Sequence, residues 1–377
     1  MPDRGRAGGR TVVAMSGGVD SSVAAALSRE AGEDVVGLSM QLYDVEPGGG
    51  GMGSCCTPDD LRDARAVALR LGIPHYVMGF QDEFRRHVLD YFEGEYRRGR
   101  TPIPCIPCNS ALKFGRLLDR AGLLGADRVA TGHYARVEFL PGRGRFRLRA
   151  AVDAARDQSY FLFDLTQEQL ARAVFPLGQL RKTAVRDLAR THGIPTAEKP
   201  ESRDLCFVGS GTYRDRLPRV DRPGWIVDRS GRRLAPHGGV SGFTVGQRRG
   251  LGIASSRRLY VLAIDPERRV VTVGGEEEQY AAALEASGAN WIAESEPAPF
   301  RAHARIRYRH DGAAARVLPG AGGRFRVEFD EPQRAITPGQ AVVLYRGDEV
   351  LGGGWIDRAD ALTTRIASAT LLPTERA

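Results

Sequence analysis

The stretch AMSGGVDSS, residues 14–22, stands between a short β-branched run, TVVAM (11–15), and the apolar segment VAAALSREAG (23–32). It predicts a strand, a tight glycine turn and a helix. Gly17 and Gly18 let backbone approach a ligand closely, and the start of the following helix offers N–H groups and the positive end of its dipole. Ser16, Ser21 and Ser22 add hydroxyls, and Asp20 is a candidate to hold Mg²⁺. These residue types suit a cradle for a pyrophosphate group. The loop fits neither G-x-x-x-x-G-K-[ST] nor G-x-G-x-x-G, so it is neither of the two commonest phosphate loops. A Gly-Gly turn also serves as a plain strand-to-helix connection, so residue types alone leave both readings open.

Outward from this loop the chain alternates. EDVVGLSMQLY (33–43), IPHYVMGF (73–80) and ADRVATGHY (126–134) read as further strands. PDDLRDARAVALRLG (58–72), DEFRRHVLDYFEGEY (82–96) and SALKFGRLLDRAG (110–122) read as helices. Strands separated by helices predict an α/β fold with a doubly wound parallel sheet. ARVEFLPGRGRFRLRA (135–150) predicts a hairpin, and QEQLARAVFPLG (167–178) and RKTAVRDLARTHG (181–193) predict helices. Beyond about Gly211 helical signals nearly vanish. RLYVLAIDPERRVVTVGG (258–275) predicts a second hairpin. FRAHARIRYRH (300–310), GRFRVEFDEP (323–332) and QAVVLYRGDEVLGGGWI (340–356) predict strands of a small β-barrel. The expected organisation is a catalytic domain over 1–212, a small central β-rich domain over 213–280, a C-terminal barrel over 281–361 and a loosely ordered tail from about Ala359, covering 362–377. GGGGMGS (48–54) reads as a flexible loop.

The chain has 377 residues, enough for two or three cores. No stretch approaches the ~18 apolar residues of a membrane span, and MPDRGRAGGR (1–10) lacks the apolar middle of a signal peptide. A cytoplasmic location without a membrane partner is expected. The formal charge of +8 favours a polyanionic partner such as nucleic acid. Of the 54 basic residues only Lys113, Lys182 and Lys199 are lysines. In so arginine-biased a chain, those three positions are the ones to watch.

The five cysteines, Cys55, Cys56, Cys105, Cys108 and Cys206, are an odd set that argues against a disulfide framework. In TPIPCIPCN (101–109) three readings compete for Cys105 and Cys108. Structural zinc needs a second ligand pair, which is missing. A redox pair needs a thioredoxin-like surrounding, also missing. The third reading joins Cys108 to Cys206 as nucleophile and resolving thiol. Cys55 and Cys56 read as incidental. His75, His87 and His192 read as packing or surface residues, whereas His133 ends a strand, where ligands of open α/β sheets bind. Asp44, Asp59 and Asp60 are Mg²⁺ candidates or ordinary loop and N-cap acids, the second reading preferred. Arg248 and Arg249 are equally consistent with RNA contact and with a solvated turn.

SGGVDSS resembles the PP-loop of ATP pyrophosphatases. Together with GLSM (37–40), TPIPCIPCNSALKFG (101–115), ATGHYAR (130–136), RDQSYFL (156–162), LCFVG (205–209), TVGQRRGLGI (244–253), RIRYR (305–309), TPGQAVV (337–343) and LGGGWI (351–356), it resembles the tRNA-specific 2-thiouridylase family from about residue 11 to 357. The resemblance implies ATP and Mg²⁺ as cofactors, and adenylation of O2 of the wobble uridine of tRNA (position 34). Sulfur would then pass to C2 from a persulfide on Cys108, charged by an upstream persulfide donor, and Cys206 would attack that persulfide. It also implies phosphate contacts at Ala14, Met15, Ser16, Gly17, Gly18, Val19, Asp20 and Ser21, and adenosine contacts at Met40 and Gly132. Ile103, Pro104 and Cys105 would lie beside the target base, with tRNA contacts at His133, Arg156, Asp157, Gln158, Arg307, Tyr308 and Gln340. Many members carry an Asp where this chain has Cys105. That departure raises a sharper expectation, a [4Fe–4S] cluster on Cys105, Cys108 and Cys206. The competing readings are a PP-loop ligase acting on a small molecule and a non-catalytic RNA-binding protein.

Overall fold

The computed structural model describes residues 9–42, 57–200, 205–208, 222–294 and 298–361. Met1–Arg10 in its first eight positions, the Gly-rich run, Asp44, Cys55, Cys56, the start of the central segment and the tail 362–377 lie outside the described residues.

A five-stranded parallel sheet forms the first unit. Its strands are β1 (Arg10–Ala14), β2 (Asp34–Gln41), β3 (His75–Gly79), β4 (Arg128–Ala130) and β7 (Ala173–Val174), in the order β3-β2-β1-β4-β7. The order reverses at β1, so the crevice between the carboxyl ends of β1 and β4 is the topological switch point. α1 (Val19–Glu30) and α2 (Pro58–Leu71) follow the strands as predicted. Thr57 and Asp60 close a capping box at the start of α2, and Gly72 ends it with φ +63°.

Three local expectations are corrected. The helix predicted over 110–122 begins earlier: α4 spans residues 105–123, so Cys105 and Cys108 lie in its first turn rather than in a loop before it. Pro104 and Pro107 sit where no intrahelical N–H is needed. From Cys108 to Arg116 the helix is π-wound, as is Arg85–Leu89 within α3 (residues 81–97). The helix predicted over 167–178 stops at Arg172 (α5, Gln167–Arg172). Pro176 disfavours helix at the residue before it, and Ala173–Val174 instead pairs with β4 as β7. The strand predicted over 300–310 stops at Arg305, and residues 306–310 turn back, with His310 N–H donating to Arg307 C=O.

The hairpin of β5 (Ala135–Leu140) and β6 (Arg145–Ala150) is present but does not join the parallel sheet. β6 pairs with β17 (Glu349–Ala361). β17 in turn pairs with β12 (Tyr280–Trp291) and closes a barrel through β15 (Phe325–Arg334), β14 (Ala313–Pro319), β13 (Phe300–Arg305) and β16 (Ala341–Arg346). Closure removes exposed strand edges. Because β17 runs to Ala361, the residues from Ala359 belong to the barrel and not to a tail. A separate four-stranded sheet holds β8 (Gly224–Val227), β9 (Arg233–His237), β10 (Tyr260–Asp265) and β11 (Val270–Gly274).

One hydrophobic core crosses between the first unit and the barrel. It joins Phe80, Phe92, Ile106 and Leu112 to Tyr160, Phe163, Val343 and Tyr345. Polar ties reinforce it: Tyr160 OH donates to Ala341 C=O (2.9 Å) and Asn290 Nδ2 donates to the Phe163 and Leu165 carbonyls (2.7 and 2.9 Å). The barrel is therefore fixed against the parallel sheet beside the switch point.

Candidate active site

At the carboxyl ends of β1 and β4 a cavity of about 1100 Å³ opens. Its floor is the glycine loop: Ala14, Met15, Ser16, Gly18, Val19, Asp20 and Ser21 line it, with Leu38 and Met40 from β2 and Thr131, Gly132, His133 and Tyr134 after β4. Its opposite wall comes from the barrel turn, through Arg305, Tyr308, Arg309, His310 and Asp311, and from the loop Ala154–Gln158.

The floor has the features of an anion cradle. Ser21 Oγ accepts from Ser16 N–H (3.2 Å) and donates to Gly18 C=O (3.0 Å), which folds the loop over the helix start. Gly17 faces away from the cavity. It has φ +70°, and a Cβ there would lie 2.2 Å from Asp60 O, so only glycine lets the loop rest on α2. At Gly132 a Cβ would lie 2.7 Å from Ser21 N, so β4 can approach α1 this closely only without a side chain. Ser22 is buried and bonds Gly18 C=O, which takes it out of the cavity.

All three lysines of the chain line the cavity. Lys182, the first residue of α6 (Lys182–Thr191), holds both oxygens of Asp20 at 2.7 and 2.8 Å, and Tyr134 OH donates to Asp20 Oδ1 at 2.8 Å. Lys199 donates to Gly17 C=O (3.1 Å), Asp60 (2.7 Å) and Asp63 (2.5 Å). Burial opposes its charge, but the hydrogen bonds to Asp60 and Asp63 outweigh that and hold the ammonium above its ordinary pKa. Asp60 is thus the N3 acid of the capping box begun by Thr57, in line with the helix-start role preferred from sequence, yet it also lines the cavity. Lys113 donates to Asn109 Oδ1 (3.1 Å) and is the one residue of α4 that reaches the cavity.

The remaining predicted positions divide. His133, Arg156, Asp157, Gln158 and Tyr308 line the same cavity. His133 is buried, its Nδ1 lies 2.7 Å from Thr131 Oγ1, and burial followed by the Lys113 charge holds its pKa well below the ordinary value, so the ring is neutral. Asp157 is buried and accepts from the Ala151 and Ser159 N–H groups, Ser159 Oγ and Arg305 (3.0 Å). Gln158 Oε1 accepts from Tyr134 N–H. The Tyr308 ring packs 4.4 Å from that of Phe161. Arg307 and Gln340 lie outside the cavity: Arg307 donates to Arg334 C=O, and Gln340 Nε2 donates to Thr101 C=O at 3.0 Å, latching the barrel to the strand of chain that leads into α4. Sequence reasoning missed Tyr134, Arg305, Arg309, His310 and Asp311. Tyr134, Arg305 and Arg309 did stand inside motifs already singled out. His310 ended a presumed strand and Asp311 followed it, and only the early termination of that strand brings them to the cavity.

Among known proteins, the family described as "tRNA methyl transferase HUP domain" matches residues 9–210. The tRNA methyl transferase PRC-barrel domain matches 215–275, and the aminomethyltransferase beta-barrel domain matches 281–356. The tRNA-specific 2-thiouridylase MnmA of Geobacter metallireducens is 52% identical over 358 residues, covering 93% of this chain and 97% of the relative. That of Moorella thermoacetica is 51% identical, covering 92% and 99%. The chain belongs to the tRNA-specific 2-thiouridylase family. Its three-part architecture is that of the family: a PP-loop unit with a parallel sheet, a PRC-barrel middle and a closed C-terminal barrel.

Cys105, Cys108 and Cys206, the described cysteines of this thiouridylase-family chain, do not line the cavity. Cys108 and Cys206 are half-buried and pack against the shared core, where Phe207 packs on Phe84 and Phe92 (6.0 and 5.1 Å). Cys105 is exposed. Among the described residues no three His, Cys, Asp or Glu side chains gather as a metal site. The three thiols therefore do not fit the [4Fe–4S] cluster raised from the sequence. A cluster needs all three thiols at one point in space, and they are not gathered in that way. Mg²⁺ is a different case. It is ordinarily held by one or two carboxylates together with phosphate oxygens, and Asp20 lines the cradle, but with both oxygens held by Lys182 it would have to share one of them with the ion. No helix among the described residues is long and apolar enough to cross a membrane.

Proposed function

We propose that this protein is an ATP-dependent tRNA 2-thiouridylase of the cytoplasm. It adenylates O2 of the wobble uridine and replaces it with sulfur carried on Cys108, leaving 2-thiouridine, AMP and pyrophosphate. One observation carries the reading: a single cavity joins a glycine-serine anion cradle at a sheet switch point to a cationic turn of the C-terminal barrel.

The chain's own groups suit the steps. Backbone and hydroxyls of residues 16–21 would bind the phosphates, and Met40 and Gly132 would flank the adenosine. Mg²⁺ beside Asp20 would spread the charge of the leaving pyrophosphate. A neutral His133 can accept or donate a hydrogen bond at the base without bringing a charge. The uridine must leave its stack to enter such a cavity, and an anticodon loop base does so at low cost. Arg156, Tyr308 and Arg309 line the wall where the RNA would enter, while Ile103, Pro104 and Cys105, at the start of α4, do not line the cavity, and their contact with the base would require that segment or the base to shift. Cys108 lies in the first turn of that helix. The terminal sulfur of the Cys108 persulfide would attack C2 and displace AMP. The Cys206 thiolate would then attack Cys108 Sγ, releasing 2-thiouridine and forming a Cys108–Cys206 disulfide, which a thiol reductant must reopen before an upstream persulfide donor recharges Cys108.

AMP formation should depend on tRNA with a wobble uridine. Cys108→Ser should abolish 2-thiouridine, read by mass analysis of tRNA nucleosides. ATP turnover indifferent to RNA, or a fully active Cys108→Ser, would falsify the reading.

A further inference from the structure

Lysine is rare in this chain, and it is not scattered: all three lysines meet in one cavity. Lys182 is the most enclosed of them, 8% exposed, and its ammonium meets both oxygens of Asp20. Asp20 is the second residue of α1, and Val19, Asp20 and Ser21 all line the cavity. A phosphate arriving there gains from the helix dipole but meets the Asp20 charge. A cation within hydrogen-bonding reach of Asp20 cancels that repulsion and places positive charge on the wall. If the pair only tied α6 to α1, arginine would serve at least as well, since its fork matches a carboxylate and this chain uses it nearly everywhere else. The compact ammonium leaves space for a further anion, which the broader guanidinium would fill.

We propose that Lys182 is a phosphate-binding residue, its ammonium tethered by Asp20 and contacting the anionic part of a nucleotide seated on residues 16–21. The inference rests on the reading of the cavity as an ATP site. It assigns phosphate recognition to a residue 162 positions downstream of Asp20, outside the glycine loop.

Titration calorimetry of the full chain with ATP and, separately, with adenosine tests it. For Lys182→Met, ATP affinity is expected to fall about 100-fold, the effect of losing a charge-assisted contact, with adenosine affinity changed less than about twofold. Lys182→Arg keeps the charge and the pairing to Asp20, so the fold is retained, and ATP affinity is expected to fall about tenfold because the planar group occupies the phosphate's place. Wild-type ATP affinity in Lys182→Met, or equal losses for ATP and adenosine, overturns the proposal. If Lys182→Met does not fold, wild-type ATP affinity in Lys182→Arg overturns it by itself. A wild-type chain that binds no ATP overturns the cavity reading instead, and this inference falls with it.

Discussion

The cavity wall and the outer face of the C-terminal barrel use the same charged residue types to opposite ends. On the barrel, Arg301 pairs with Asp330, Arg358 with Glu285, and Arg326 with Glu328 and Asp360, all at the surface. Such pairs are solvated and contribute little to stability. They also occupy arginines that the sequence left available for RNA. In the cavity Asp20, Asp60 and Asp157 are more enclosed, each is held by several donors, and the cations beside them line the space a ligand would fill. Net charge therefore says little about where an anion binds. Burial and the direction of each partner decide it.

Four experiments break or sharpen this contrast, in falling order of effect. Gly132→Ala puts a methyl against the Ser21 backbone, which cannot yield without moving α1. ATP binding should be lost to calorimetry, and stability should drop by about 1–3 kcal/mol. Arg305→Ala leaves the buried Asp157 without its cation, and a fall in unfolding free energy of about 3 kcal/mol is expected in urea. The Asp157 network also carries the loop Arg156–Gln158, so the same variant should weaken tRNA binding.

The third concerns pH. Burial, helped by neighbouring cations, holds the pKa values of His133, His75 and His310 below the ordinary value. As pH falls through about 6.5 the unfolded chain takes up protons that these folded rings refuse. Their contribution is intact above that pH and is lost as pH drops toward the folded pKa values. Stability should therefore be lower at pH 5.5 than at 7.5, and His133→Gln should flatten the slope. A slope unchanged in that variant would mean that His133 is not one of the groups responsible. The smallest effect belongs to the barrel face. Arg301→Ala, at an exposed pair, should leave the urea midpoint within error.

The α/β alternation and the glycine loop were legible because each rests on local physics. Periodicity, a capping box and a βα turn are written over ten or fifteen residues. Cys108, His133 and the lysines were also visible, through motif or composition. Tyr280–Trp291, rich in alanine, received no strand assignment, because its conformation comes from pairing with β15 and β17 rather than from its own propensity. The hairpin Ala135–Ala150 was seen as a hairpin, but nothing local says that it joins a sheet formed two hundred residues later.

The sequence by itself determined the strand–loop–helix cradle, the cysteine positions and the family. It could do so because those depend on residue types at short spacing. Only the tertiary structure decided that Arg305, Arg309, His310 and Asp311 turn into the cavity, that three distant lysines meet there, and that the three cysteines do not converge on a cluster. Those outcomes depend on where a closed barrel docks through a shared core, and docking is set by surfaces assembled from all parts of the chain at once.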